Sequence, residues 1–478
     1  MLDNRAMTSS GATAGKSKPV RRRRRILLFL LVLVLVIAGK AGYDYYQGII
    51  QEAALQEAIA EADRLDPGWR LADLEAKRAV IPPERDSAPL VTKAGRAAMA
   101  ILNTKTVRKD LWSITQELEK LPATTVLTPQ QTEELRACLA PLAGPLADAR
   151  QVADLPEGRY PFNCSPDQLY RLPHVDNASI TMWLLRCDAL LRAQDGDLDG
   201  AWASCQSIFN VARSFGDEPA YVQTTRVCRC ADAIRDMERT LAQGQVSAPA
   251  LAHSQMLLKE EANHPYLLIE LRGCRAHLHY LYTQFHNGKF SQAWERRSYQ
   301  SRSPAFYDNL QDLFGRHEIR PAHARLLHFY TQAVEIAKER GDEAVEALRD
   351  LQAKATDVPA LACPDINRLL KFLDPKKNRA RLDCARAALA VERYRLKHDR
   401  WPVTLDDLLP DQLLTEVPAD PYDRKPLRYR STKDGVVIYS VGPNRNAAGA
   451  AWDHNVPAAD DQRLEFRLWN VEQRRRLP

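Results

Sequence analysis

The sequence predicts a mainly α protein: an N-terminal transmembrane helix, an extracytoplasmic helical array and a small C-terminal α+β domain. Three observations lead there. Five arginines, Arg21 to Arg25, run directly into the apolar stretch Ile26 to Ala38. From Gln47 to about Leu373, Ala, Leu, Glu and Arg dominate at helical spacing, with almost no strand-like alternation. After Pro375 one long helical pattern gives way to short β-rich runs separated by turn residues.

The basic block sets the orientation. Lys and Arg flanking a membrane segment stay on the cytoplasmic side, so the chain beyond Tyr46 is expected outside the cytoplasm. Residues 1–25 are polar and small apart from eight basic side chains and one acid, and read as a disordered cytoplasmic tail. The uninterrupted apolar run of 13 residues covers only about 20 Å as a helix. Residues 26–46 reach about 31 Å, enough for a hydrocarbon core of roughly 30 Å once Lys40 snorkels its ammonium to the interface. Tyr43, Tyr45 and Tyr46 then form an aromatic belt. The competing reading is a signal peptide cleaved near Ala38, Gly39 and Ala41. The helical pattern that continues through YDYYQGIIQEAALQEAIAEADRL favours a retained anchor. Both readings put the body outside the cytoplasm.

Composition narrows the function. A chain of 478 residues holds two or three domains. The formal charge is +6, but residues 1–25 carry +7 of it, which leaves the remaining body at −1. No basic stripe remains to neutralise phosphates, so nucleic acid is excluded as a partner. Nine cysteines are odd in number and irregular in spacing. Cys187, Cys205, Cys228 and Cys274 fall inside helical patterns, where a buried free thiol acts as a small apolar residue. Cys228 and Cys230 form a C-x-C with no second pair at zinc-ligand spacing.

Within residues 47–375 the helix signals recur. Pro67 and Pro82-Pro83 break early helices, Thr128-Pro129 opens another, Ser247 with Pro249 a third, and Gly341-Asp342 a fourth. Between Leu184 and Phe215 two amphipathic helices flank AQDGDLDG, with Gly196 ending the first and Asp197 capping the second. This hairpin, with Ala201 and Ala203 beside Trp202, resembles a tetratricopeptide-type unit, although no regular period runs through the region. An irregular antiparallel array and an ordinary helical bundle both accommodate the pattern.

Catalytic signals are missing from the pattern. His277 and His279 are two apart, and His323 and His328 five apart, so neither pair has the i, i+4 geometry of a zinc-hydrolase helix. They read as structural histidines. The chain has no nucleophile elbow, P-loop or dinucleotide fingerprint. AQDGDLDG lacks the twelfth-position Glu of a calcium loop. The adjacent acids Glu260-Glu261 and Asp406-Asp407 point apart on a helix. No catalytic residue is assigned, and the chain is expected not to be an enzyme.

In residues 376–478 a helix, Asn378 to His398, precedes two strands, Leu427–Ser431 and Val436–Val441, turning at Lys433-Asp434-Gly435. Gln462–Trp469 is a third strand. Tyr394, Arg400-Trp401-Pro402, Leu405, Leu408, Pro418, Asp420-Pro421-Tyr422, Pro426-Leu427-Arg428-Tyr429 and Tyr439-Ser440-Val441-Gly442 follow in order. This run resembles the globular domain of the major pseudopilin of type II secretion systems, over about a fifth of the chain. In that family the next loop binds calcium. The resemblance implies Ser440, Asn444 and Asp453 as candidate metal ligands here, with Asn444 where an acid is usual and Arg445 beside it. The alternative is a loop closed by Asn and Asp hydrogen bonds alone. No other cofactor is implied. In pseudopilins a short leader ending in Gly precedes a Phe-Thr-Leu-x-Glu type segment; here no such Glu lies near Ile26, and over three hundred residues separate the apolar helix from the C-terminal domain, which argues against a fibre subunit. The expected function is a bacterial scaffold or interaction protein, single-pass in the cell membrane, with the lipid bilayer and envelope proteins as partners. The alternatives are an accessory component of a type II secretion or pilus-like assembly, and an extracytoplasmic hydrolase.

Overall fold

The computed structural model describes residues 19–103, 115, 120–161, 172–219, 222–287, 319–355, 366–443 and 464–476. The chain divides into two compact units, Met1–Glu57 and Ala58–Pro478. Helix α1, Pro19–Leu65, is 47 residues long. It begins two residues before the basic block, so Arg21 to Arg25 lie on the helix itself; Pro at the start and Arg thereafter both suit helix formation. From Ile26 onward it is long and apolar enough to cross a membrane. Its large side chains from Ile26 to Ile37 are exposed by 43 to 68%. A helix apolar all round and uncovered by protein is suited to lipid.

The second unit is predominantly helical. Its described helices are α2 (Leu71–Lys77), α3 (Ala88–Leu102), α4 (Pro129–Leu139), α5 (Ala143–Arg150), α6 (Pro173–Gln194), α7 (Leu198–Arg213) and α8 (Val222–Gln243). They continue as α9 (Ala248–Glu261), α10 (Tyr266–His286), α11 (Ile319–Arg340), α12 (Ala344–Lys354), α13 (Ile366–Leu373) and α14 (Pro375–His398). The sequence signals translate directly. Thr128 makes a full capping box with Gln131 at the start of α4. Gly196, at φ 84°, ends the α6 turn, and the Asp197 carboxylate accepts the Gly200 amide to start α7. The α6–α7 hairpin is the expected one. Against α6 lies α3, where a side chain at Gly95 would come within 2.6 Å of the Asn177 Cα, so only glycine admits this approach.

Three antiparallel strands follow α14: β1 (Arg428–Thr432), β2 (Gly435–Tyr439) and β3 (Glu465–Trp469), in the order β1-β2-β3. Thr432 pairs with Gly435 across the two-residue turn Lys433-Asp434. Val436, Ile438, Phe466 and Leu468 point to one face and are fully buried, and the sheet packs on α14. Their core is continuous with that of the helices. One cluster joins Trp202, Phe209, Leu241 and Leu258 to Leu389, Ile438 and Phe466. A second cluster joins Tyr266, Leu271 and Tyr282 to Phe329, Leu348 and Leu370.

Candidate functional site

Of the candidate metal ligands, Ser440 is held by a residue that is not among them. Asp420 is fully buried, and its carboxylate accepts the Ser440 hydroxyl at 2.9 Å and the amides of Val441 at 2.7 Å and Tyr422 at 3.0 Å. The Ser440 oxygen in turn accepts the Gly442 amide at 3.1 Å. Both hydrogen-bonding roles of the Ser440 hydroxyl are therefore in use within the protein. Asn444 and Asp453 lie outside the described residues. Among the described residues no group of three or more His, Cys, Asp or Glu side chains is placed to hold a metal ion. The local signal was the Asp-Pro dipeptide, whose carboxylate commonly bonds backbone two residues on.

Three of the buried carboxylates among the described residues each gather two or more cations. Glu261, 1% exposed, takes two hydrogen bonds from Arg226 at 2.7 Å each and one from the Tyr266 hydroxyl at 2.7 Å. Arg213 adds its charge from 3.4 Å. Burial alone would raise the Glu261 pKa, but the guanidinium of Arg226 more than offsets it and holds the carboxyl down to about 2. Beside it, burial and then Arg226 push His264 down to about 3. Glu260 and Glu261 do diverge, one 51% and the other 1% exposed at the side chain, yet both reach Arg213. Such a permanently ionised, sealed carboxylate has no proton to exchange at neutral pH; it braces α7, α8, α9 and the start of α10.

Asp66, just beyond α1, meets three cations: Arg272 at 2.6 and 3.1 Å, Lys338 at 3.1 Å, and Arg275. Burial opposes ionisation here too, and the hydrogen bonds from Arg272 and Arg275 bring the pKa down to about 2. Trp69 lies under Arg275, 5.2 Å from ring centroid to guanidinium, and donates its indole N–H to Asp63 at 2.9 Å. His279 stands edge-on to Trp69, and its Nδ1 lies 3.0 Å from His323 Nε2, with Tyr282 stacked on His323. So His277 and His279 do part company along α10, but His279 finds His323 across from α11. Burial, with help from Arg70, pushes His279 down to about 4, and burial pushes the enclosed His277 to about 4. Both are neutral imidazoles. His328 turns away, to Glu61 at 2.5 Å. The third carboxylate, Glu392, is fully buried between Arg395 at 2.7 Å and Arg474 at 2.9 and 3.0 Å.

Among the described residues other chemistry finds little room. Glu218, fully buried, lies 3.0 Å from His174 Nε2, too poorly aligned for a hydrogen bond. No disulfide joins the seven described cysteines, and burial raises the thiol pKa of Cys187, Cys205, Cys230 and Cys384, which suppresses nucleophilic thiolate. A cavity between α6 and α8, lined by Arg186, Gln194, Asp236, Arg239 and Gln243, measures about 20 Å³. That admits a water molecule, against roughly 300 Å³ or more for a small-molecule pocket. The chain matches no protein-family model, no curated protein and no solved structure.

Proposed function

We propose that this chain is a single-pass membrane protein whose body lies outside the cytoplasm and serves as a scaffold for other bacterial envelope proteins. The observation that carries it is α1: an apolar helix uncovered by protein, headed by five consecutive arginines. The scaffold role draws support from the interior, where Asp66 and Glu261 are each committed to cations from separate helices, and Glu392 ties Arg395 of its own helix to Arg474 beyond β3. A second reading, an accessory component of a type II secretion or pilus-like assembly, is favoured by one long helix, α14, packed on a three-stranded antiparallel sheet that follows it in sequence.

The test is crosslinking of the tagged full-length protein in its membrane, followed by mass spectrometry of what co-purifies. Envelope proteins attached to the body are the expected result, and pseudopilins among them favour the second reading. Recovery of no protein partner, or protection of the body from protease added to spheroplasts, overturns the proposal.

A further inference from the structure

The two edges of the small sheet are treated differently. On β3 the outward amide of Arg467 is met by the Glu238 side chain of α8 at 3.2 Å, which closes that edge. On β1 nothing among the described residues does the same. Ser440 bonds Leu464 beyond the end of β3, so residues 436, 438 and 440 face β3 while 435, 437 and 439 face β1. The register then turns Arg428, Arg430 and Thr432 toward β2, and the backbone N–H and C=O groups of Tyr429 and Ser431 outward. Arg430 and Ser431 are exposed.

The same strand carries a concentrated charge. Residues 424–433, RKPLRYRSTK, hold five cations and no acid, in a body whose net charge is −1. Arg424 is paired with Glu343 and Arg428 with Asp423. Lys425, Arg430 and Lys433 make no ion pair among the described residues, and Arg430 is held over the Tyr439 ring at 5.5 Å. Like charges opposed across a strand pair repel, so the edge resists a second copy of itself. The same charges attract a strand of opposite sign.

We propose that β1 is a docking edge for an extended, acidic segment of a partner protein, added as a fourth strand. The partner's backbone bonds the outward groups of Tyr429 and Ser431, and its acids meet Lys425, Arg430 and Lys433. This deepens the scaffold reading and rests on it, but it can fail separately.

The experiment uses the full-length protein in detergent micelles and a fluorescent nine-residue peptide of alternating Glu and Val, read by anisotropy. Binding is expected, with none for the Lys-Val counterpart. Ser431→Pro removes an amide that faces away from β2, so the β1–β2 ladder is kept; it is expected to weaken binding about tenfold or more. The Glu-Val peptide N-methylated at alternate residues is expected to lose a similar factor, and that arm needs no variant. Arg430→Glu with Lys433→Glu is expected to reverse the preference to the Lys-Val peptide. No binding of the Glu-Val peptide overturns the proposal. So does equal binding of the methylated peptide, which marks a purely electrostatic surface, or equal binding of phosphatidylglycerol vesicles, which marks a lipid-headgroup patch. Partners crosslinked to the wild type but undiminished in Ser431→Pro sink this edge and leave the scaffold reading standing.

Discussion

Glu261 and Glu260 are neighbours in sequence and opposites in consequence. Removing the charge of Glu261 leaves Arg226 enclosed without its counter-ion and Arg213 with Glu260 alone, and breaking a buried pair costs about 3–5 kcal/mol. Glu260, half exposed, should contribute below about 1 kcal/mol. Chemical denaturation of Glu261→Gln and Glu260→Gln proteins should show that contrast; equal losses would remove the brace. Acid sensitivity follows from the same residues. His264, His277 and His279 have folded pKa values of about 3, 4 and 4, below the ordinary 6.5, so between those values the unfolded chain binds more protons. Stability is therefore complete above about pH 6.5 and declines as pH falls toward 4. Asp66 and Glu261, ionised down to about 2, add a second loss that begins below about pH 4.5. The melting temperature should fall in both windows, and a profile flat from pH 7 to pH 4 would contradict the histidine environments. None of these pairings was legible in the sequence. Asp66 and Arg275, or His279 and His323, come from separate elements, and spacing reports only who shares a face within one element.

Elements were more legible because their signals are local. The turn AQDGDLDG placed the α6–α7 hairpin, since Gly196 needs a positive φ and Asp197 needs only the amide three residues on. Helix α14 starts three residues earlier than periodicity suggested, because Asp374 caps it and Pro375 suits its first position. The ends of β1 and β2 shifted by one or two residues, with Gly435 joining β2 instead of the turn, and β3 ends at Trp469 as expected, its expected start at Gln462 lying outside the described residues. A side chain at Gly435 would strike the Leu468 carbonyl. Caps differ in worth even where the motif looks alike. Thr128 exchanges two hydrogen bonds with Gln131, whereas Ser247 makes no side-chain bond to its helix. Thr128→Ala should cost about 1 kcal/mol and Ser247→Ala only a few tenths, by thermal denaturation. Equal costs would mean that the α4 start is held by packing alone.

At the scale of the whole molecule, the C-terminal hundred residues change character in sequence, while their contacts run back into the helices. Helix α14 packs on α9, and Gln255 of α9 donates to the Leu413 carbonyl at 2.6 Å. The last turn of chain is sewn in as well. Arg474 bonds Glu392 and the Gly244 carbonyl, Arg475 bonds the carbonyls of Ala193 and Gln194, and the Arg476 amide bonds Thr124. A run of three arginines ordinarily reads as a solvated tail; here two guanidinium groups close helix ends and a buried carboxylate. Because a single hydrophobic cluster spans α3 to β3, the helices α3–α9 and the C-terminal sheet should unfold together. The full-length protein in detergent should lose both in one denaturant transition, followed by limited proteolysis at the α6–α7 turn and at the β1–β2 turn. Arg474→Ala, which leaves Glu392 with Arg395 alone, should lower the midpoint at both sites equally, by about 2–4 kcal/mol in stability. A midpoint that moves at the β1–β2 turn and not at the α6–α7 turn would instead separate residues 376–478 as an independently folding domain.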